Sequence, residues 1–347
     1  MHEITGFAAV RTAARDTERY SSDLLGDRDV RTYRQLPLEV DPPEHHAYRS
    51  ALSPLFVRKT VDAHESAFRA VAHDLISTFV ARGGGDVVTE LALPMVVNCL
   101  GILYNRPGDV AEWLSWGTDV WLTDNGRSGI RLDTYLPRVF DEVTQQPGDD
   151  AWTYVSRLDI NGRPITRTEM YGIASVLLAG GRDTVIKLMT GAVWHLAQSP
   201  ADREFLRTQP AKLSLAINEW LRYLSPLPRM ERAPRSVADL PIELRDPADY
   251  VHLSFVSANH DPDVFAHPER IDIHRERSVN LAFGAGPHTC IGNHVAEVET
   301  RAFVSEFLLQ VLDWEVLDTS DIVYELVGTS QFVGRFNALH VAVVTGS

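Results

Sequence analysis

LAFGAGPHTCIGNHVAEVE, residues 281–299, is the stretch on which the reading of the whole chain turns. It holds Cys290, one of only two cysteines, preceded by Phe283, Gly284, Gly286 and His288 and followed by Gly292. Beyond Gly292 the apolar residues Val295, Val298 and Phe303 recur at helical spacing, with Glu297, Glu299 and Arg301 between them. The pattern predicts a glycine-rich turn that delivers Cys290 to the N-terminus of a helix. Free N–H groups and the positive dipole end there favour a thiolate over a thiol. The glycines let the backbone lie close to something flat and bulky. His288 offers a donor to an anionic group at its rim. A planar iron porphyrin with one axial thiolate meets these demands, and a buried structural cysteine in a glycine turn is the plainer alternative.

The stretch resembles the haem-binding signature of the cytochrome P-450 superfamily, F-x-x-G-x-H-x-C-x-G. Phe283, Gly286, His288, Cys290 and Gly292 fill its fixed positions. The resemblance implies a mainly α fold with small β-sheets (α+β), as a triangular helix-rich lobe plus a small β lobe, in a single domain over 1–347. It implies haem b as cofactor, Cys290 as axial ligand of its iron, and O2 as co-substrate. Phe283, Gly284, His288 and Gly292 are then cofactor-binding residues.

Composition is consistent with this. The 347 residues are 44% hydrophobic and 23% charged, enough to bury a large core. A net charge of −14 argues against a nucleic-acid partner. Cys99 and Cys290 make no disulfide framework and suit a reducing compartment. Residues 1–17 carry charges and lack the apolar centre of a signal peptide. The longest apolar stretch, 91–104, is interrupted by Pro94, Asn98 and Gly101 and is too short to span a bilayer. The expectation is a soluble, cytoplasmic protein that binds neither nucleic acid nor membrane.

Residues 41–49 read DPPEHHAYR. Asp41 suits a helix cap, the prolines a first turn, and Glu44 stands at capping-box spacing. His45 and Arg49 are four apart, share a helix face and can clamp a carboxylate; a solvated helix start accounts for the same residues. Bacterial family members carry D-P-P-E-H-x-x-x-R here, so the resemblance implies that His45 and Arg49 bind haem propionates.

Residues 168–196 carry the longest helical period, and at its middle stands Ala179-Gly180-Gly181-Arg182-Asp183-Thr184. Two glycines inside a helix cost about 1 kcal/mol each relative to alanine. Thr184 lies four residues after Gly180 and can bond its carbonyl, bending or opening the helix. An opened turn beside small residues leaves room for a diatomic ligand; a glycine pair for helix packing is the alternative. The resemblance to the family's oxygen-binding groove implies that Thr184 hydrogen-bonds dioxygen and Asp183 relays protons. Gly180 then borders the cofactor and Ala179 the substrate.

Glu219 and Arg222 are three apart and can pair on one helical face. In the family this E-x-x-R is structural and is completed by a later arginine, for which the resemblance points to Arg270. Residues 227–239 match a pocket-lining segment, with Leu227 in the lining and Arg232 as a propionate ligand. Arg229 is the rival of Arg232 and could instead hold an acidic substrate group. Residues 258–262 read ANHDP, with His260 where the family usually has arginine. Phe332, in an expected hairpin tip at 331–333, is an implied substrate contact. Trp113, Trp116 and Trp121 form a stripe that reads as core, or as a substrate wall. Further helices are expected at 4–15, 60–81, 87–103 and 126–146. Strands are expected at 241–257, with a turn at Asp246-Pro247, and at 311–344, with turns at Gly328 and Gly334.

No segment matches a flavin or iron–sulfur module, so a separate ferredoxin and ferredoxin reductase, or another donor, are implied partners. The implied activity is O2-dependent oxidation of a small organic or natural-product substrate. The alternatives are oxidative aromatic cross-linking of a short-peptide natural product and a non-catalytic haem-binding module. Most family members have a further helix and the first strands of a small sheet before the segment matching 4–15. Here they are absent: either this layer is lost, which leaves a smaller β lobe and a more open substrate entrance, or the start site is wrong.

Overall fold

Apolar residues at helical spacing fold here into helices that bury one face against each other. The computed structural model describes residues 2–24, 32–118, 120, 123–124, 127–128, 130–236, 250–276, 279–328 and 330–344. The α-helices in chain order are α1 (Phe7–Ala13), α2 (Glu44–Leu52), α3 (Arg58–Asp62), α4 (Glu65–Ala81), α5 (Leu93–Leu103), α6 (Val110–Ser115) and α7 (Ile130–Gln145). There follow α8 (Ala151–Ser156), α9 (Arg167–Ala179), α10 (Asp183–Gln198), α11 (Pro200–Thr208), α12 (Leu213–Leu224), α13 (Phe255–Asn259) and α14 (Asn293–Gln310).

The helix that follows Cys290 is the hub. α14 packs against α4, α10 and α12. Val298, Ala302, Phe303 and Phe307 of α14 join Phe68, Ala72 and Ile76 of α4 in one large buried cluster. Each fully buried Phe or Ile contributes roughly 1.5–3 kcal/mol, so the base of the Cys290 loop rests on the best-packed part of the molecule. A second cluster of Val10, Ala13, Val251, Leu253, Phe255, Leu281 and Ala285 joins α1 and α13 to the start of that loop. The loop is therefore held from both sides.

The sheets are small. His2–Ile4, Val251–Ser254, Arg229–Pro234 and Tyr20–Ser21 form a four-stranded sheet, in which the pair His2–Ile4 with Val251–Ser254 is parallel. Trp314–Val316, His340–Val343 and Gly84–Asp86 make a three-stranded sheet, and Ile322–Val327 pairs with Ser330–Phe336 as a hairpin. Among the described residues no helix is long and apolar enough to cross a membrane.

Several expectations need correction. The bend or opening expected within 168–196 is a complete break, which leaves two helices, α9 and α10, separated at 180–182. The helix expected over 4–15 is shorter, because residues 2–4 pair with 251–253 as a strand and Gly6 turns at φ +78°. The helix expected over 60–81 is interrupted between α3 and α4. A π-helical turn, Val88–Ala92, precedes α5. Gly334 lies within a strand and not at a turn; a Cβ there would stand 2.7 Å from the Glu325 side chain, so glycine answers to cross-strand crowding. The hairpin turns at Gly328 (φ +61°), which puts Phe332 on a strand. Trp113 and Trp116 are core residues, packed edge-on around Tyr135. Trp121, Gly126 and the Asp246-Pro247 turn lie outside the described residues.

Candidate active site

The loop that carries Cys290 is shaped by its glycines. Gly284 and Gly286 take φ of +71° and +76°, the region that strains any residue with a Cβ. A Cβ on Gly286 would also stand 2.6 Å from the Ala14 carbonyl oxygen, so the loop lies directly on the end of α1. The Cys290 N–H donates to the Phe283 carbonyl at 2.9 Å and closes the loop. α14 begins at Asn293, just behind Gly292, as its apolar period required.

The sulfur itself combines two properties. It lies deep within the protein, so burial pushes its pKa up, against the opposing pull of the Gly292 N–H and the Arg49 charge. Yet Cys290 is solvent-accessible, whereas Cys99 is buried in the core. Both statements about Cys290 hold if the sulfur opens onto an interior cleft and not onto bulk water. A thiol buried in the core, as Cys99 is, lacks that accessibility.

Four basic or donor side chains converge beside it from three elements. His45 and Arg49 come from one face of α2, Arg232 from the strand Arg229–Pro234, and His288 from the turn before Cys290. The His45 and His288 rings lie 4.3 Å apart. Burial pushes the His288 imidazole down to about 3, reinforced by the charges of Arg232, His45 and Arg49. Burial likewise lowers His45 to about 4, with Arg49 and His46 adding and Asp41 opposing. The Arg232 guanidinium falls to about 10 through burial, partly offset by Asp41. His45 is 1% exposed, and neither ring nitrogen has a hydrogen-bond partner among the described residues. Buried donors without acceptors are costly, and a group bearing two carboxylates would satisfy them. The donor set and the accessible thiol together fit a haem.

Two contributors escaped the sequence reading. Ser22 Oγ lies 2.9 Å from His288 Nε2, across 266 residues of chain, and no local pattern marks it. Asp41 does not cap α2; its carboxylate accepts from the Ser22 N–H at 2.8 Å and pairs with Arg235, tying the 21–22 segment to the start of α2.

Arg229 and Arg232 separate by strand parity. Three positions apart, they point to opposite faces. Arg232 is 4% exposed, while Arg229 is half-exposed and bridges Glu3 at 3.0 Å and Glu325 at 3.1 Å. That corrects the reading of Arg229 as a propionate or substrate ligand.

The expected opening of the long helix is present. α9 ends at Ala179, α10 begins at Asp183, and the Thr184 hydroxyl donates to the Gly180 carbonyl at 3.4 Å. Asp183 is exposed and Thr184 half-buried. A Cβ on Gly181 would meet nothing nearer than Leu100 Cδ2 at 3.9 Å, so the break is roomy on that side. Ala179 is buried and Leu227 partly buried, in different clusters. Phe332 is buried against His260, ring centroids 3.6 Å apart.

The E-x-x-R pair is fully formed. Arg222, 0% exposed, makes a bidentate bond to Glu219 at 2.9 and 2.7 Å and donates to the carbonyls of Asn259, Pro268 and Arg270. The third member is Arg275, whose Nε donates to Glu219 Oε2 at 3.1 Å. Arg270 offers only its carbonyl; its guanidinium lies at the surface beside Glu269. The correction has a simple cause: the Glu219 carboxylate also accepts the Asp272 N–H, which brings the chain beyond Asp272 over it.

Comparison with known proteins agrees with this geometry. The sequence model of the cytochrome P450 family matches residues 212–333. A probable cytochrome P450 127A1 of Sinorhizobium fredii is 32% identical over 316 residues, covering 87% of this chain and 74% of its own. The chain belongs to the cytochrome P450 family. It is an oxidoreductase of the monooxygenase class, and the family implies a haem-iron cofactor and O2. The erythromycin C-12 hydroxylase of Saccharopolyspora erythraea is 29% identical, covering 87% of this chain and 79% of its own. A solved structure described as a carbohydrate active P450 superposes with a TM-score of 0.89 at 28% identity, over 98% of this chain and 91% of that one.

Proposed function

We propose that this P450 binds haem b and inserts one atom of dioxygen into a small organic or natural-product substrate, with electrons from a separate ferredoxin and reductase. The observation that carries the reading is the meeting of an enclosed but accessible cysteine sulfur with buried, acceptor-less His45 and its basic neighbours. The likeness to a relative named erythromycin C-12 hydroxylase supports oxygen insertion. When bound, the haem supplies dioxygen activation, and a cysteine thiolate on its iron donates the electron density that favours O–O cleavage.

The chain's own residues do the rest. Cys290 ligates the iron, with Gly292 N–H holding its charge. His45, Arg49, Arg232 and His288 receive the propionates. Phe283, Gly284 and Gly180 allow close approach to the ring. Asp183, exposed at the start of α10, takes protons from solvent and passes them to Thr184. Thr184 Oγ1 holds the proton at the opened turn until it is needed. Glu219, Arg222 and Arg275 keep the loop's foundation rigid.

The reduced, carbon-monoxide-bound spectrum tests the ligand: the wild type gives the red-shifted thiolate band, and Cys290→Ser loses it. Thr184→Ala keeps the band but lowers product per electron pair about tenfold or more. Full coupling in Thr184→Ala would overturn the proton assignment. Product heavier by one oxygen supports insertion, and product lighter by two hydrogens supports oxidative coupling instead.

A further inference from the structure

The break between α9 and α10 holds one side chain that neither the thiolate loop nor the donor cluster uses. Arg182 stands in the break itself, between Gly181 and Asp183, and is 1% exposed. A guanidinium so deeply buried must direct its hydrogen bonds to fixed acceptors. Arg182 Nη1 donates to the Trp113 carbonyl at 3.0 Å, and Nη2 donates to the Gly117 carbonyl. Both acceptors lie at the carboxyl end of α6, where carbonyls run short of N–H donors; the Trp113 carbonyl also accepts the Trp116 N–H, at 3.4 Å.

The location of those acceptors matters. Gly117 turns the chain out of α6 at φ +78°, toward the connection that reaches α7 at Ile130. α7 is gripped in the same manner from the other end of the interrupted pair. Arg167, the first residue of α9, donates to the carbonyls of Phe140 at 3.2 Å and Pro137 at 3.1 Å and pairs with Asp141. So Arg167 at the start of α9 and Arg182 in the break before α10 each hold the α6–α7 layer. The Arg167 grip is partly exposed, and the Arg182 grip is buried one residue from Asp183 and two from Thr184.

We propose that Arg182 is a positioning residue that couples α6 and the chain after it to the opened turn at 180–184. A fork spanning two carbonyls transmits displacement in both directions: a ligand that seats at the turn tightens α6, and movement of the α6–α7 layer shifts the turn. The functional consequence rests on the roles proposed above for Asp183 and Thr184, whereas the mechanical coupling does not.

The test is hydrogen exchange on the holoprotein, with and without imidazole as an iron-binding probe. In the wild type, imidazole slows exchange in both 176–184 and 113–118. In Arg182→Gln, unliganded exchange in both segments accelerates about tenfold, as loss of a charge-assisted bond of that kind implies. Imidazole then protects 176–184 alone. Arg182→Lys, which keeps the charge but replaces the rigid planar fork by a compact ammonium on a flexible stem, also loses the transmitted protection and serves if the glutamine variant does not fold. Protection reaching 113–118 in both variants, or acceleration confined to 113–118, overturns the proposal. If Thr184→Ala leaves coupling intact while Arg182→Gln behaves as stated, the proton roles fail and the mechanical coupling stands.

Discussion

Arg275 and Arg270 stand five residues apart and differ in what their guanidinium groups meet. Arg275 completes the half-shell around Glu219; Arg270 is needed only for a backbone oxygen. Arg275→Ala removes a charge-assisted bond from a buried carboxylate and is expected to cost about 1–3 kcal/mol. Arg270→Ala leaves its carbonyl in place and should stay within about 0.5 kcal/mol of wild type, as surface changes do. Thermal unfolding of the two variants checks the assignment. Lys187 poses the opposite problem, a charge without a close partner. It is 7% exposed on α10, forms no ion pair among the described residues, and burial lowers its pKa to about 8 against the opposing charge of Glu325. His260, just beyond α13, also feels the Lys187 charge, which helps to lower that imidazole. The unfolded chain binds the proton more tightly between about pH 8 and the ordinary lysine value, so stability rises with pH across that window. Below it, the cost is at most about 3 kcal/mol. Lys187→Met is therefore expected to raise the melting temperature at pH 7, with the gain shrinking to nothing near pH 10.5. A gain that does not change with pH would show that packing, not charge, is the cause.

At the scale of elements, the interruption between α9 and α10 was legible because the sequence itself is locally inconsistent there: glycines inside a strong apolar period. α14 was legible from apolar residues at helical spacing directly behind the Cys290 motif, and α12 from the Glu219–Arg222 pair. The strand His2–Ile4 was not. Its pairing is set by Val251–Leu253, nearly the whole chain away, and nothing in three residues records it. The same holds for Ser22 at His288, and for the choice of Arg275 over Arg270, which depends on how the chain passes Glu219. Gly172 in α9 marks another contact invisible in the sequence. A Cβ there would stand 2.1 Å from the Arg34 carbonyl oxygen, a backbone atom that cannot swing aside. Gly172→Ala should cost about 1–3 kcal/mol from overpacking, despite the gain of about 1 kcal/mol in helix propensity. Because the 32–40 segment leads into α2, the variant should also hold haem less tightly. Gly181→Ala is the control: its nearest neighbour is at ordinary contact distance, and its melting temperature should match or exceed the wild type.

At the scale of the molecule, the response to pH divides among carboxylates of opposite sign. Paired acids such as Glu169, held down chiefly by Arg163, and Asp202, by His195, stabilise the fold until acid protonates them. Glu299 acts the other way. It lies on α14, the hub of the main core, 3% exposed; among the described residues one oxygen is unpartnered and the Cys99 thiol is the donor to the carboxylate. Burial raises its pKa to about 8, so the folded protein holds a proton that the unfolded chain releases above the ordinary carboxylate range. The folded state binds more protons than the unfolded across that interval, so stability is greatest at its acid end and falls as pH rises toward 8. The excess of acidic residues, net −14, adds self-repulsion in the same direction. Glu299→Gln keeps the shape and removes the titration. It should match the wild type near pH 5, where both side chains are neutral. By pH 8 it should be more stable, by at most about 5 kcal/mol, and its remaining slope against pH measures the surface charge alone. If the two proteins lose stability in parallel from pH 5 to pH 8, Glu299 is ionised in the core and its burial does not set the slope.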